Sequence, residues 1–455
     1  MLSLLTDKAG KLNADYGEIH FEIINSTRIA YSNNNIEAIQ TSKTSTGNVR
    51  ALIGGGWGFS SFNEIDFDKN IASACRNARL VSDSKEDRKS TLIKAGPVKA
   101  EIKTDYGIDP ASYSLKDKND IAFKYNNILK HPDIASTRVM YSDWKVEKYF
   151  VNTEGAAISQ TKVFTGVSYS AMAKDGQNVQ QAFESVGQYG GMELVLGREN
   201  NVELIKKRAI DLLKAKKVGS GAYTVLLDPN LAGVFAHEAF GHLSESDFIY
   251  ENPKMQSVMV LGKEFGPAAL NIIDDGSIAG LAGYTPYDDE GIKAGSNYLI
   301  RNGLLNSRLH SRETAAKLNE NATGNARAIN PAYQPIVRMT NTFIGGGENK
   351  FEDMLASIDD GIYAVDYLGG MTNLEMFTFS SAYAYRIKDG KIGSLIRDVV
   401  LTGNVFSTMH NITMIGNDLS HHGGLGGCGK GGQGGLPVST GSPHIIIRDV
   451  MIGGV

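Results

Sequence analysis

The chain has 455 residues, is 42% hydrophobic and 21% charged, and carries a formal net charge of −4. Those proportions suit a globular protein and exclude a disordered or fibrous one. No basic excess points to nucleic acid, and no run approaches the roughly 18 uncharged apolar residues of a membrane-spanning helix, so neither partner is expected.

Two cysteines, Cys75 and Cys428, make no disulfide framework. The N-terminal apolar run is too short for a secretion signal, and a reducing cytoplasm is the expected compartment. Glycine is abundant, at 51 residues against 11 prolines. Tight hairpins account for most of that, and a backbone that must approach another main chain accounts for the rest.

In chain order, residues 3–14 read as a short amphipathic helix. Glu18–Ile24, Thr27–Ser32, Asn35–Thr41 and Gly47–Ile53 alternate apolar and polar residues between Asn- and Gly-containing turns, as in an antiparallel meander. Gly54–Phe62 continues it. Phe67–Val81 has helical spacing, with Ile71, Cys75, Ala78 and Leu80 toward one side, so Cys75 reads as an inert core thiol. Asp117–Leu129 is a second helix, ended by His131-Pro132. Residues 136–187 are strand-rich, with turns at Asn152–Gly155 and Lys174–Gly176. Asn201–Ala215 is a helix, and Lys216–Tyr223 reads as a linker.

The expected boundary near residue 220 divides the chain into an N-terminal domain, 1–220, and a C-terminal domain, 221–455. Thr224–Pro229 reads as a buried strand, followed by a helix with Asn230 placed to cap it. From about 270 onward, short strands and Gly-rich turns dominate. The class is α+β. An N-terminal α/β domain of antiparallel strands with packed helices precedes a β-rich domain that carries the metal-site helix.

The chemistry concentrates in Leu231–Asp247, which contains His237-Glu238-x-x-x-His242. Two histidines four apart on a helix share a face and bind zinc, while an adjacent glutamate activates water. Here the second histidine is one residue late. At 3.6 residues per turn the two side chains diverge by roughly 140°. A π turn absorbs one extra residue, and Gly241 eases that deformation. The spacing therefore predicts a distorted or broken helix across Ala239–His242.

Zinc requires a third protein ligand and an open position. Nine of the thirteen residues from Gly423 to Gly435 are glycine, and one is Cys428. A cysteine in such a loop is no ordinary core residue. A thiolate ligand explains it, with a redox-active thiol and a nucleophile as alternatives. His421 and His422, beside the same loop, are alternative ligands or substrate-side groups. His410 and His444 fall in strand-like runs and read as structural. Gly424–Lys430 fits the phosphate-loop spacing, but Gly431 stands where Ser or Thr must hold magnesium, and no helix can follow.

Taken together, HEAFGH (His237–His242), the acidic SESD stretch (Ser244–Asp247), GNVRALIGGGWGFSS (Gly47–Ser61), YTPYDDEG (Tyr284–Gly291), RMTNTFIGGG (Arg338–Gly347) and the terminal GGCGKGGQ…PVSTGSP resemble the TldD/PmbA family of zinc metallopeptidases, the modulators of DNA gyrase. The resemblance implies zinc held by His237, His242 and Cys428, with Glu238 as catalytic base. It points to the catalytic TldD-like branch rather than to the PmbA-like (TldE) branch, which lacks the motif. It further implies a homodimer, or a heterodimer with a PmbA/TldE-like paralogue, acting on unfolded or extended peptides held by their main chain. Gly426, Gly427, Gly429, His421 and His422 are the candidate substrate contacts. The segment after His242, LSESDFIYENPKMQSVM, departs from the GLEGD-like sequence of the best-known members. A non-catalytic partner subunit and a metal or thiol redox enzyme are the competing functions.

Overall fold

A computed structural model describes residues 1–84, 89–373 and 375–453. The class is α+β, as the sequence predicts. The first sheet contains β1 (Tyr16–Ser32), β2 (Asn35–Ile53), β3 (Gly56–Phe62), β4 (Lys99–Lys103), β5 (Ile134–Asn152), β6 (Ala157–Asp175) and β7 (Asn178–Tyr189). Its order is β3-β2-β1-β5-β6-β4, with β7 on the same edge of β6 as β4, further along. The expected short strands fuse. Glu18–Ile24 and Thr27–Ser32 are one 17-residue strand, because Asn25 and Ser26 keep their pairing with Lys43 and Ser42.

Odd-numbered residues of β1 face helices. Ile19 and Phe21 pack with α1 (Leu2–Ala9) and α2 (Phe67–Ser84), where Leu5, Ile71, Ala74 and Cys75 are buried. Ile29 and Tyr31 pack against α3 (Leu115–Ile128), and the same core takes in Val202 and Ile205 of α4 (Glu199–Lys214). Leu80, expected on the buried stripe of α2, is 63% exposed. Nine residues beyond Ile71 is about 2.5 turns, so Leu80 stands on the opposite side of the helix from the buried face of Ile71, Ala74, Cys75 and Ala78.

The residues 216–223 are only partly a linker. Lys216–Lys217 (β8) pairs with Ile396–Arg397, and Gly221 already begins β9 (Gly221–Leu227). β9, Asp360–Asn373, Met376–Lys388, Val400–Asn404 and Ile445–Gly453 pair in a closed ring of five strands. Beside it lies a six-stranded sheet in the order Leu304–Leu305, Ser296–Arg301, Ile272–Asp275, Asn341–Ile344, Ser439–Ser442, Ser420–His422. Helix α5 (Pro229–Ala236) packs on that sheet.

The even-numbered face of β1 is polar yet buried. Glu18, His20 and Glu22 are at most 8% exposed, with Arg50 and Lys148 opposite them across the pairings. The acidic run Asp288-Asp289-Glu290 covers this face and is itself buried. Arg50 Nη1 donates to Glu18 Oε1 at 2.8 Å and to Glu290 Oε1 at 3.3 Å, and Lys148 Nζ pairs with Asp289. Backbone N–H groups of Arg312 and Ala328 donate to Glu290 and Asp289 at 2.7 and 2.8 Å. The run thus locks residues 284–328 onto the first sheet.

Burial works against the Asp289 charge, but Lys148, His20 and the hydrogen bonds outweigh it and hold the carboxyl at about 2. A depressed acid stabilises the fold above its unfolded value of about 3.9, and that contribution is lost as pH falls toward 2. Asp289→Asn should therefore lower stability at pH 7 by about 3 kcal/mol, the scale of breaking a buried pair. It should also flatten the dependence of unfolding free energy on pH between about 4 and 2. Urea melts across that range check both.

Candidate metal site and cleft

Helix α5 begins where Asp228 Oδ1 accepts the N–H of Leu231 at 2.9 Å, with Pro229 at its first position. Asp228 is the cap, not Asn230. Proline supplies a φ already suited to the first turn, and the cap falls two residues earlier than expected. Asn230 instead donates from Nδ2 to Asp366 Oδ1 at 3.3 Å. Gly233 lets the helix lie flush on the sheet, since a Cβ there would sit 2.7 Å from the Gly441 nitrogen.

At His237 the helix changes period. His237–Gly241 is a π turn, and the His242 N–H donates to the His237 carbonyl five residues back. That is the distortion the spacing demands. The two imidazoles now meet, with ring centroids 5.2 Å apart at 82°. Gly241 sits tight against the Met339 side chain, and a Cβ there would fall 2.1 Å from Met339 Sδ unless that side chain moved. The chain then leaves through a 3-10 turn, His242–Ser244.

Cys428 arrives on a hairpin. Cys428–Lys430 pairs with Gln433–Leu436 across Gly431-Gly432, whose φ angles are +57° and +76°. Two consecutive positive φ values define the type I′ hairpin turn that Gly-Gly favours. The phosphate-loop spacing here is thus only a hairpin. Cys428 Sγ lies 3.4 Å from His242 Nε2. A donor atom from each of His237, His242 and Cys428 can be chosen so that all three lie within 4.8 Å of one another.

Each member is tuned by its neighbours. Burial alone raises the Cys428 thiol, yet hydrogen bonds and charge from His237 and His242 pull it down to about 5. Burial alone lowers His242, yet Cys428 and Glu245 push it up to about 10. His242 Nδ1 lies 2.9 Å from Glu245 Oε2, and Glu245 is fully buried. A carboxylate behind Nδ1 fixes the tautomer that leaves Nε2 free to coordinate. His237 Nδ1 is buried with no protein partner. Two imidazoles, a thiolate and a carboxylate behind one ring fit a tetrahedral zinc site with one open position. Glu238 is half-buried, its Oε2 4.0 Å from His242 Nε2.

The site opens on a cleft of about 680 Å³. One wall is β7 and α4, including Glu184, Ser185, Arg198 and Arg208. The other includes Glu238, Asp366, Tyr367, His421, His422, Gly426 and Gly427. Gly429 is exposed and outside this lining. His421 and His422 do not join the donor group; burial pushes both imidazoles down, and the His421 ring packs edge-on against Phe343. The two histidines read as structural lie elsewhere: His410 ends the helix Val405–His410 rather than a strand, and His444 Nδ1 binds Asp418 at 2.5 Å.

Sequence reasoning missed four contributors. Glu245 carried a usable signal, a carboxylate three residues after His242 in a helical stretch. Lys430, Asp366 and Arg208 carried none, since their partners are distant in sequence. Asp366 has φ +54° and donates its N–H to Asp228 Oδ1 at 3.1 Å, while Arg208 approaches its carboxylate at 3.5 Å.

Comparison with known proteins places this geometry. Residues 17–82, 108–217 and 220–454 match the models of the PmbA/TldA metallopeptidase domain 1, central domain and C-terminal domain. A metalloprotease of Synechocystis is 42% identical, over 97% of this chain and 95% of its own length. A zinc metalloprotease TldD homolog of Saccharolobus solfataricus is 27% identical over 98% of each chain. The crystal structure of TldE from Thermococcus kodakarensis superposes with a TM-score of 0.77 over the full length of both chains, at 16% identity, and so shares the fold. The chain therefore belongs to the PmbA/TldA metallopeptidase family.

Proposed function

We propose that the protein is a zinc-dependent peptidase, with His237, His242 and Cys428 as metal ligands and Glu238 as general base. The observation that carries this reading is the convergence of three donors, two from a π turn and one from a hairpin 186 residues on. Mixed nitrogen and sulfur donors favour zinc, and the Saccharolobus relative's name supports it. When bound, the ion supplies Lewis acidity toward water and toward a peptide carbonyl.

The chain's own groups do the rest. Glu238 presents its carboxylate to the cleft beside His242. There it takes a proton from the attacking water and delivers it to the departing amine. Glu245 keeps the Nδ1 proton of His242 turned away from the site. A thiolate ligand adds negative charge and tempers the Lewis acidity, so turnover is slow.

The substrate we propose is an unfolded or extended peptide. Segment 423–425 is tied to β7, the Gly187 N–H donating to the Gly423 carbonyl at 3.2 Å and the Leu425 N–H to Ser185 Oγ at 2.9 Å, and beyond it the exposed Gly426 and Gly427 line the cleft with main chain free of side chains. A peptide strand docks there through backbone hydrogen bonds. His421 and His422 contribute side-chain surface. With the chain read as two domains meeting near residue 220, each supplies one wall. A homodimer or a heterodimer with a PmbA/TldE-like paralogue, working in the cytoplasm, completes the proposal. No helix among the described residues is long and apolar enough to cross a membrane.

Glu238→Gln should retain a full equivalent of zinc and lose peptidase activity by roughly 100- to 10,000-fold, the range for a general base. Retention of both zinc and activity refutes the base. Cys428→Ser, or chelation of the wild type, should remove metal and activity together. Elemental analysis beside cleavage of a peptide mixture reads all of these, and separates a peptidase from a silent partner subunit or a thiol redox enzyme. Cleavage sites in the mixture should show broad side-chain tolerance, and one obligatory residue at the cut would refute main-chain docking.

A further inference from the structure

The hairpin that carries Cys428 is nearly devoid of side chains. Gly426, Gly427, Gly429, Gly431, Gly432, Gly434 and Gly435 surround the thiol. Glycine loses the most conformational freedom on ordering and has no side chain to pack. Yet Cys428 Sγ is held 3.4 Å from His242 Nε2. Something other than the hairpin's own packing must fix it.

Two buried cations reach the hairpin. Arg338, fully buried, donates from Nη2 to the Cys428 carbonyl at 2.7 Å and from Nη1 to the Gln433 carbonyl at 3.2 Å. It therefore clasps both strands. Lys430, 5% exposed, sends Nζ to Asp247 Oδ1 at 2.5 Å, the Val337 carbonyl at 2.7 Å and Glu245 Oε2 at 3.3 Å, over the ring of Phe248. Glu245 Oε2 is the same oxygen that accepts from His242 Nδ1. One carboxylate oxygen thus joins the lysine of the cysteine hairpin to the second histidine of the helix.

We propose that Lys430, with Arg338, is a positioning residue that sets the Cys428 thiolate against His242 and holds Glu245 on the imidazole. This rests on reading His237, His242 and Cys428 as a metal site. Without the ammonium, Glu245 and Asp247 are two neighbouring carboxylates facing a thiolate, with no cation between them. Glu245 then swings off Nδ1 and the hairpin loses its tie to the histidine segment, while Arg338 and the Gln433 side chain still hold its backbone. Arg338 fixes the backbone, and Lys430 fixes the distance between hairpin and helix.

The test is a Co²⁺ titration of full-length, metal-stripped protein, read by the thiolate-to-cobalt charge-transfer band and by competition with a chelator. Wild type should show the band at one equivalent. Lys430→Met should bind Co²⁺ ten- to a hundred-fold more weakly, the range for partners that orient a ligand, with a shifted or weakened band. Lys430→Arg, which keeps the charge, should stay within about threefold of wild type. A folded Lys430→Met protein with wild-type affinity and an unchanged band overturns the proposal. If Lys430→Met does not fold, as judged by its thermal melt, Asp247→Asn carries the test. It removes one anchor, and a loss of at least threefold supports the proposal while unchanged affinity overturns it. Absence of the band in wild type instead overturns the metal site itself, and the positioning role with it.

Discussion

Five residues separate His237 from His242, and an α-helix cannot turn two side chains at that spacing toward one point. The π turn at His237–Gly241 resolves this, and much else follows from it. It brings Gly241 against the Met339 side chain, where glycine leaves that methionine undisturbed. It ends the helix immediately, since the chain passes into a 3-10 turn and brings Glu245 under His242. It leaves His237 Nδ1 buried with no protein partner, a cost that a native fold tolerates where function requires it. A helix of ordinary period would satisfy its backbone better and would hold no three-donor cluster.

The second constraint is the polar face of the first sheet. Strand alternation puts Ile19 and Phe21 toward helices and Glu18, His20 and Glu22 away from them. Alternation of that kind usually means one wet face. Here the wet-looking face is buried beneath the acidic run 288–290. Breaking one partner of such a buried network leaves an uncompensated charge, so the pairs specify how the two layers sit even where they add little net stability. That placement matters for the site, because β7 and α4 of the first layer form one wall of the cleft.

The parts that were legible in the sequence share a cause. Strand alternation, helical spacing and the one-residue excess between the histidines are local, and local periodicity survives in the fold. The π turn followed from counting degrees per residue. Most of the misses are non-local. Leu80 is the exception, because nine residues beyond Ile71 is about half a turn off the face that Ile71, Ala74 and Ala78 bury. The burial of the acidic run was not legible, because nothing near it in sequence discloses Arg50, Lys148 or Arg312. Asp228 displaced Asn230 as the helix cap through Pro229, a signal present but underweighted. The phosphate-loop spacing at Lys430 is rightly set aside, but spacing alone does not report which carboxylates wait across the fold.

The site is also a problem in charge. Cys428 and Glu238 line the cleft, and Glu245 and Asp247 lie behind it around His242 and Lys430. Left alone, four negative groups in a partly dry cavity would repel and take up protons. On the proposed zinc reading a divalent ion would offset two of them and Lys430 a third, leaving Glu238, which lines the cleft. That distribution is what a general base requires. The carboxylates tied to Lys430 are committed to structure, whereas Glu238 keeps an open face toward the cleft. Geometry thus separates chemically similar groups a few residues apart: Glu245 binds an imidazole, Asp247 binds the lysine, and Glu238, the proposed base, faces the cleft.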